Sequence, residues 1–161
     1  MYKRQTKGLR ETLASGRSQE RIPEFSQTGA AYTKSDDIGY SYVEVDLSNQ
    51  HVYLIVSGKL VTDSPCVTGC VKNGHGTPDG LYSVTYKESP SVLRGEDYET
   101  KVNFWMPFNR GIGLHDATWR DEFGGDIYYS GGSHGCVNLP YQKAAVIYEN
   151  IYAGMPVICY Y

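Results

Sequence analysis

The 161-residue chain has no run of 18 apolar residues, so it holds no segment that could cross a bilayer as a helix, and no direct membrane insertion is expected of it. Met1 to Gln19 is polar and lacks the apolar core of a secretory signal. If the protein works outside the membrane, its export or anchor segment is expected to be missing from this sequence. Positive charge is not in excess either: 15 Lys and Arg stand against 18 Asp and Glu, a net charge of −3. That balance gives no basic field to hold a phosphate backbone, so nucleic acid is not an expected partner. The four cysteines, Cys66, Cys70, Cys136 and Cys159, form no Cys-x-x-Cys pair and no zinc-finger spacing. A metal shared by His115, His134 and Cys136 would lack a fourth ligand. Neither metal nor cofactor is expected. A Cys66–Cys70 disulfide is disfavoured, because two cysteines four apart on a strand lie too far from each other. No internal repeat is visible.

Tyrosine and glycine are abundant, at 15 and 18 residues. Aromatic residues with frequent glycine favour strands and tight turns. With 40% hydrophobic residues the chain is long enough for one domain with one core. Residues 1–37 are rich in Lys, Arg, Ser, Gln and Thr and read as a polar linker or the remnant of an upstream module, with a short helix around Gly8 to Ser15. Residues 38–161 form the domain. Val43, Val45 and Leu47 alternate with Tyr42, Glu44 and Asp46, which predicts a half-buried strand over Tyr40 to Leu47. Further strands are predicted over His51 to Val56, Leu60 to Thr62, Val67 to Val71 and Leu81 to Tyr86, with a loop over Lys72 to Gly80. Pro140 fits the first position of a helix capped by Asn138 or Leu139 and carrying Ala144, Ile147, Tyr148 and Ile151 at helical spacing. Gly154 and Pro156 stop it, and Pro156 to Tyr160 closes the domain as a strand. The expected fold is mainly β, two packed sheets with one prominent C-terminal helix.

Two segments carry chemistry. Along Ser133 to Pro140, period two puts His134, Cys136 and Asn138 on one face, opposite Gly135, Val137 and Leu139. Ser133 is expected on the face opposite Cys136. The helix that Pro140 opens lies just downstream, and its positive end would favour a thiolate at Cys136. In Gly111 to Asp116, Gly111, Gly113 and His115 share a face, and the two glycines leave room for a ligand against the strand. A thiol nucleophile needs a base to take its proton and return it to the leaving group. His115 and His134 are both candidates; His115 is preferred because it arrives on a separate strand and can be aimed at the sulfur.

His115, then 17 residues, then Ser133-His134-Gly135-Cys136-Val137-Asn138 resembles the signature of the L,D-transpeptidase (YkuD-type) catalytic domain. Gly76-Thr77-Pro78-Asp79-Gly80-Leu81-Tyr82 looks like that family's Thr-Pro-x-Gly-x-Tyr turn, and His115-Asp116-Ala117-Thr118-Trp119 like its His-x-Ala-x-Trp segment. The resemblance covers Ile38 to the C-terminus. It implies a β-sandwich with a flap over the site. It also implies a reaction in which a cysteine attacks a peptidoglycan stem tetrapeptide, releases terminal D-alanine and passes the acyl group from a thioester to a second stem, giving a 3→3 cross-link. Its partners would be donor and acceptor stem peptides and carbapenem-type inhibitors, and its location extracytoplasmic, in a bacterial cell wall.

By the same resemblance Cys136 is the nucleophile, His115 the base, and Asp116 the residue that holds the base through its backbone carbonyl. Backbone N–H groups near Gly135 and Cys136 match the oxyanion donors. Tyr98 matches a flap tyrosine, and His134, Ser133, Trp119 and Asn138 match positions shaping or lining the site. Plainer readings stand beside these: a loop-bonding His134, a helix cap at Asn138, a surface Tyr98, a core Trp119, and ordinary surface or turn residues at His51 and His75. An L,D-carboxypeptidase would use the same site with water as acceptor, and a non-catalytic wall-binding module would have no use for an activated thiol. A sortase-like enzyme needs an Arg after the cysteine, and none follows Cys136. An NlpC/P60-type hydrolase has its cysteine before its histidine, the reverse of the order here.

Overall fold

The computed structural model describes residues 38–95 and 99–161. Tyr98 and the helix expected at Gly8 to Ser15 lie outside the described residues. Among those described, no helix is long and apolar enough to cross a membrane.

The first sheet is built from β1 (Tyr42–Asp46), β2 (His51–Val56), β3 (Lys59–Pro65), β4 (Gly80–Ser83) and β10 (Pro156–Tyr160), in the order β3-β2-β1-β10-β4. β1 pairs with β10 in parallel and with β2 antiparallel, so the last strand of the chain sits beside the first. The alternation expected in β1 is present: Val43 and Val45 are fully buried. A hairpin of β5 (Ser91–Arg94) and β6 (Glu99–Val102) forms a separate two-stranded sheet that packs over Trp105 and Cys136. The second core sheet has three strands, β7 (Trp105–Asn109), β8 (Ile112–Asp116) and β9 (Val137–Leu139), in the order β7-β8-β9. A short helix α1 (Ile127–Gly131) and the longer α2 (Tyr141–Asn150) complete the domain.

One core joins the two larger sheets and α2. Val43, Val52 and Val157 of the first sheet share it with Met106, Leu114 and Leu139 of the second, and with Ala144 and Ile147 of α2. Ala144 and Ile147 are the buried residues of this helix, and Ile151 just beyond its end continues the same stripe into the core. Burying the Leu, Ile and Val side chains contributes on the order of 1.5–3 kcal/mol each, before the entropy of ordering them is subtracted.

Three expectations change. Val67 to Val71 is not a strand: Val67 bridges Asn138 and Gly69 bridges Ser133 as isolated pairs, so this segment props the loop that holds Cys136. The strand expected over Leu81 to Tyr86 ends at Ser83. Pro140 is the N-cap of α2, with ψ of 142°, and Asn138 lies in β9 with no capping hydrogen bond. The extended ψ at Pro140 breaks β9 away from the helix, and that strand separates Cys136 from α2.

Candidate active site

Cys136 sits where a tight loop enters β9. Ser133 Oγ donates to the Cys136 carbonyl at 2.6 Å and accepts from the Gly135 N–H at 3.0 Å. Gly135 has φ of +122°, and a Cβ there would come within 3.0 Å of Ile112, so only glycine suits the position. Buried Thr77 secures the loop from beneath: its hydroxyl donates to the Gly135 carbonyl at 2.7 Å and accepts from the Gly69 N–H at 2.9 Å. With the Gly135 carbonyl drawn down to Thr77, the trans peptide turns the Cys136 N–H the opposite way. Gly135 N–H is already committed to Ser133, which leaves Cys136 N–H as the better oxyanion donor of the two.

Period two survives in β9. Val137 and Leu139 are fully buried in the main core, while Cys136 packs with Val102 and Trp105 in a second small cluster. His134, Cys136 and Asn138 all line one pocket of about 210 Å³, together with His115 and Trp119. Ser133 lines the same pocket. Strict alternation would put it on the opposite face, but the turn at Gly135 breaks the alternation upstream of Cys136.

β8 and β9 run parallel with His115 beside Asn138. The His115 Nδ1 lies 2.9 Å from the Asp116 carbonyl oxygen, which can only accept, so Nδ1 carries the proton and Nε2 the lone pair. The Asp116 carboxylate in turn accepts from Asn103 N, Phe104 N and Asn103 Nδ2 at 2.7–2.8 Å. These three bonds hold the strand end whose carbonyl holds the imidazole. Trp105 and Trp119 flank the ring, with centroids at 6.0 and 5.9 Å. Burial pushes the His115 pKa below the ordinary imidazole range; Arg120 adds to this, and the Asp116 carbonyl and carboxylate oppose it. His115 is therefore neutral at neutral pH.

Gly113 does not open space for a ligand. A Cβ there would meet Trp105 and Pro107 at 2.7 Å, so the missing side chain admits the Trp105 ring and the neighbouring strand. Gly111 does face open space, and its carbonyl accepts the Cys136 thiol at 3.5 Å.

The thiol is not poised as a thiolate. Burial raises the Cys136 pKa to about 11, only partly offset by a hydrogen bond from the Gly113 backbone. The expected help from a helix N-terminus is absent because α2 begins at Tyr141, beyond β9; such an effect falls off within the first turn. In the free protein, alkylation of Cys136 by iodoacetamide should keep rising as pH climbs through the ordinary thiol range toward about 11. A plateau reached below neutrality would show a preformed thiolate–imidazolium pair instead.

All four cysteines are free and buried. Burial pushes Cys66 far up and Cys159 to about 12. Cys70 donates its backbone N–H to the Ser133 carbonyl at 2.8 Å and so helps shape the loop that holds Cys136. Trp119 is half exposed at 50%, which rules out the core role and leaves it at the pocket mouth. Asn138 is buried and faces the site rather than a helix end. His75 is exposed in the loop before β4, and its ring lies tilted against that of His134 with centroids 4.8 Å apart. Among the described residues no group of three His, Cys, Asp or Glu side chains could hold a metal ion. Sequence reasoning assigns no role to Trp105 or Arg120, and it marks Thr77 only as part of the Thr-Pro-x-Gly-x-Tyr turn; the structure pairs Trp105 with His115 across β7 and β8 and sets Thr77 beneath the Cys136 loop.

The sequence matches the YkuD family, the L,D-transpeptidase catalytic domain, over residues 40–159. A cysteine-to-serine mutant of the Enterococcus faecium L,D-transpeptidase is similar in structure, with TM-score 0.73 and 34% identity over 96% of this chain and 62% of that one. The present chain thus spans less than two thirds of that relative. The catalytic domain of the Enterococcus faecium enzyme acylated by ertapenem gives TM-score 0.67 and 38% identity over 74% of this chain and 96% of that one. An L,D-transpeptidase from Mycobacterium smegmatis gives TM-score 0.64 and 26% identity, covering 76% and 59%. No curated protein matches.

Proposed function

Because the chain belongs to the L,D-transpeptidase catalytic-domain family, we propose that it cross-links peptidoglycan stem peptides through a thioester on Cys136. The supporting observation is the joint placement of Cys136 and His115 on one pocket, with Nδ1–H of His115 committed to the Asp116 carbonyl so that Nε2 is the nitrogen able to accept a proton. Sγ attacks the carbonyl between the third and fourth residues of a donor tetrapeptide. Nε2 takes the thiol proton as the S–C bond forms, and the Cys136 N–H stabilises the oxyanion. The C–N bond then breaks. Nε2 returns the proton to the departing D-alanine amine, leaving a thioester. An acceptor amine on a second stem repeats the sequence in reverse and frees the thiol. Because burial holds the resting thiol protonated, His115 must take that proton before or as the sulfur attacks. This chemistry belongs outside the membrane, where stem peptides are found.

Carbapenems should trap the same thiol. Related enzymes of known structure include one acylated by ertapenem and one that is an avibactam carbamoyl enzyme. Cys136 is the cysteine that lines the pocket. Intact mass and peptide mapping after incubation with a carbapenem should find one adduct, on Cys136. No adduct, or one on Cys66, Cys70 or Cys159, would contradict the assignment.

A further inference from the structure

Arg120 lies in the loop after β8, half-buried against the pocket, and its guanidinium reaches Asn138. Arg120 Nε is 2.8 Å and Nη2 3.3 Å from one carboxamide atom of Asn138. A guanidinium only donates, so that atom is the oxygen. The Asn138 amide nitrogen then faces His115 Nε2 at 3.0 Å and donates to it. Arg120 Nη2 also donates to the Gly131 carbonyl at 2.9 Å, which anchors the guanidinium to the end of α1. A continuous chain results: Gly131 carbonyl, Arg120, Asn138, His115, Asp116 carbonyl.

We infer that Arg120 is a positioning residue for the base, acting through Asn138 to hold His115 as the neutral Nδ1–H form with its lone pair fixed at Nε2. The guanidinium decides which end of the Asn138 carboxamide faces the imidazole. The reversed amide would place an oxygen at Nε2 and favour a proton there, which is the wrong form for a base. The inference rests on the transpeptidase reading for its consequence, though not for its geometry.

The charge acts in the same direction as the hydrogen bonds. When Nε2 takes the thiol proton, the Asn138 N–H must give way and an imidazolium forms near a guanidinium. Both effects make the imidazolium more acidic and favour return of the proton to the leaving amine. The groups facing His115 are Asp116 on its own strand, Arg120 in the following loop, and His134 and Cys136 before β9. Of these, Arg120 works against protonation of His115 and Asp116 works for it. Removing Arg120 therefore raises the pKa of the base, and the acid limb of the acylation rate moves to higher pH.

The test compares wild type with Arg120→Met and Arg120→Lys. Long-range ¹H–¹⁵N NMR of the free protein reads the His115 tautomer, and single-turnover acylation by a carbapenem gives a limiting rate and a half-saturation concentration across pH. Expected in Arg120→Met are a loss of the Nδ1–H preference, a limiting rate down by about tenfold to 100-fold, an acid limb shifted to higher pH, and little change in half-saturation. Arg120→Lys, which keeps a charged donor, should recover part of the rate and of the limb. An unchanged tautomer and limb in Arg120→Met would overturn the inference. So would a loss confined to half-saturation, which would make Arg120 a substrate-binding group, or a folded Arg120→Lys as defective as Arg120→Met. The NMR readout needs no substrate, so failure of the transpeptidase reading would not be mistaken for failure of this one.

Discussion

Replacing Cys136 with alanine is expected to abolish acyl transfer while the domain stays folded. The change removes one buried atom from the small cluster with Val102 and Trp105, which costs about 1 kcal/mol. That is small against the stability of an ordinary domain. No neighbouring group can replace the sulfur. The nearby hydroxyl of Ser133 already donates to the Cys136 carbonyl and accepts from the Gly135 N–H. Its proton is committed to the loop, and moving it would undo the turn that presents the Cys136 N–H. Cross-linking above a few per cent of wild type, in a variant with a native circular dichroism spectrum, would contradict the assignment of the nucleophile.

His115→Ala should lower the acylation rate by about 10²- to 10⁴-fold, on the order of 3–5 kcal/mol in the barrier. His134→Ala should cost clearly less. The two histidines differ in how they are held. His115 is 3% exposed, bound at Nδ1 by Asp116 and flanked by two indoles. His134 is exposed, and its ring meets that of His75 at a tilt. A raised thiol pKa makes the base more important, because a protonated sulfur must lose its proton during attack. Stopped-flow acylation of the two variants decides the ranking, and a larger loss in His134→Ala would transfer the role of base to His134.

Much of this site is legible in the amino-acid sequence. From Cys136 to Leu139 the alternation places Cys136 and Asn138 together because β9 is extended and its other face is pressed into the core, while His134 reaches the same pocket, with Ser133, through the turn at Gly135. The strand over Gly111 to Asp116 places His115 for the same reason. β1, β2, α2 and β10 follow from simple periods, since each has one buried face and one wetter face. β7 leaves no such signal. Its first four residues, Trp105 to Phe108, are all buried, because one face meets the core and the other forms the floor beneath the site. A strand buried on both faces loses its period, and Pro107 in its middle weakens the pattern further.

The failures have physical causes as well. Val67 to Val71 alternates like a strand, but Gly69 lies so close to His75, Thr77 and Gly135 that the segment cannot continue a ladder. It braces the loop that holds Cys136. The thiolate expectation fails because Cys136 is near the helix in sequence but not at its end in space: β9 and the extended Pro140 intervene. Arg120 is invisible to sequence reasoning, since a single arginine in a loop acquires meaning only once Asn138 is seen between it and His115. Tyr98 lies outside the described residues, while Leu93 of β5 and Thr100 of β6, the strands on either side of it, line the pocket.

The central claim, that Cys136 takes an acyl group from a stem tetrapeptide and passes it to an amine, is most directly tested by mass spectrometry of the protein with a disaccharide-tetrapeptide. An acyl-enzyme on Cys136, lighter than the full adduct by one D-alanine, is expected, followed by a cross-linked dimer. Products consisting of the tripeptide alone would assign the site to hydrolysis, and intact tetrapeptide with no acyl-enzyme would show that Cys136 takes no acyl group from this donor.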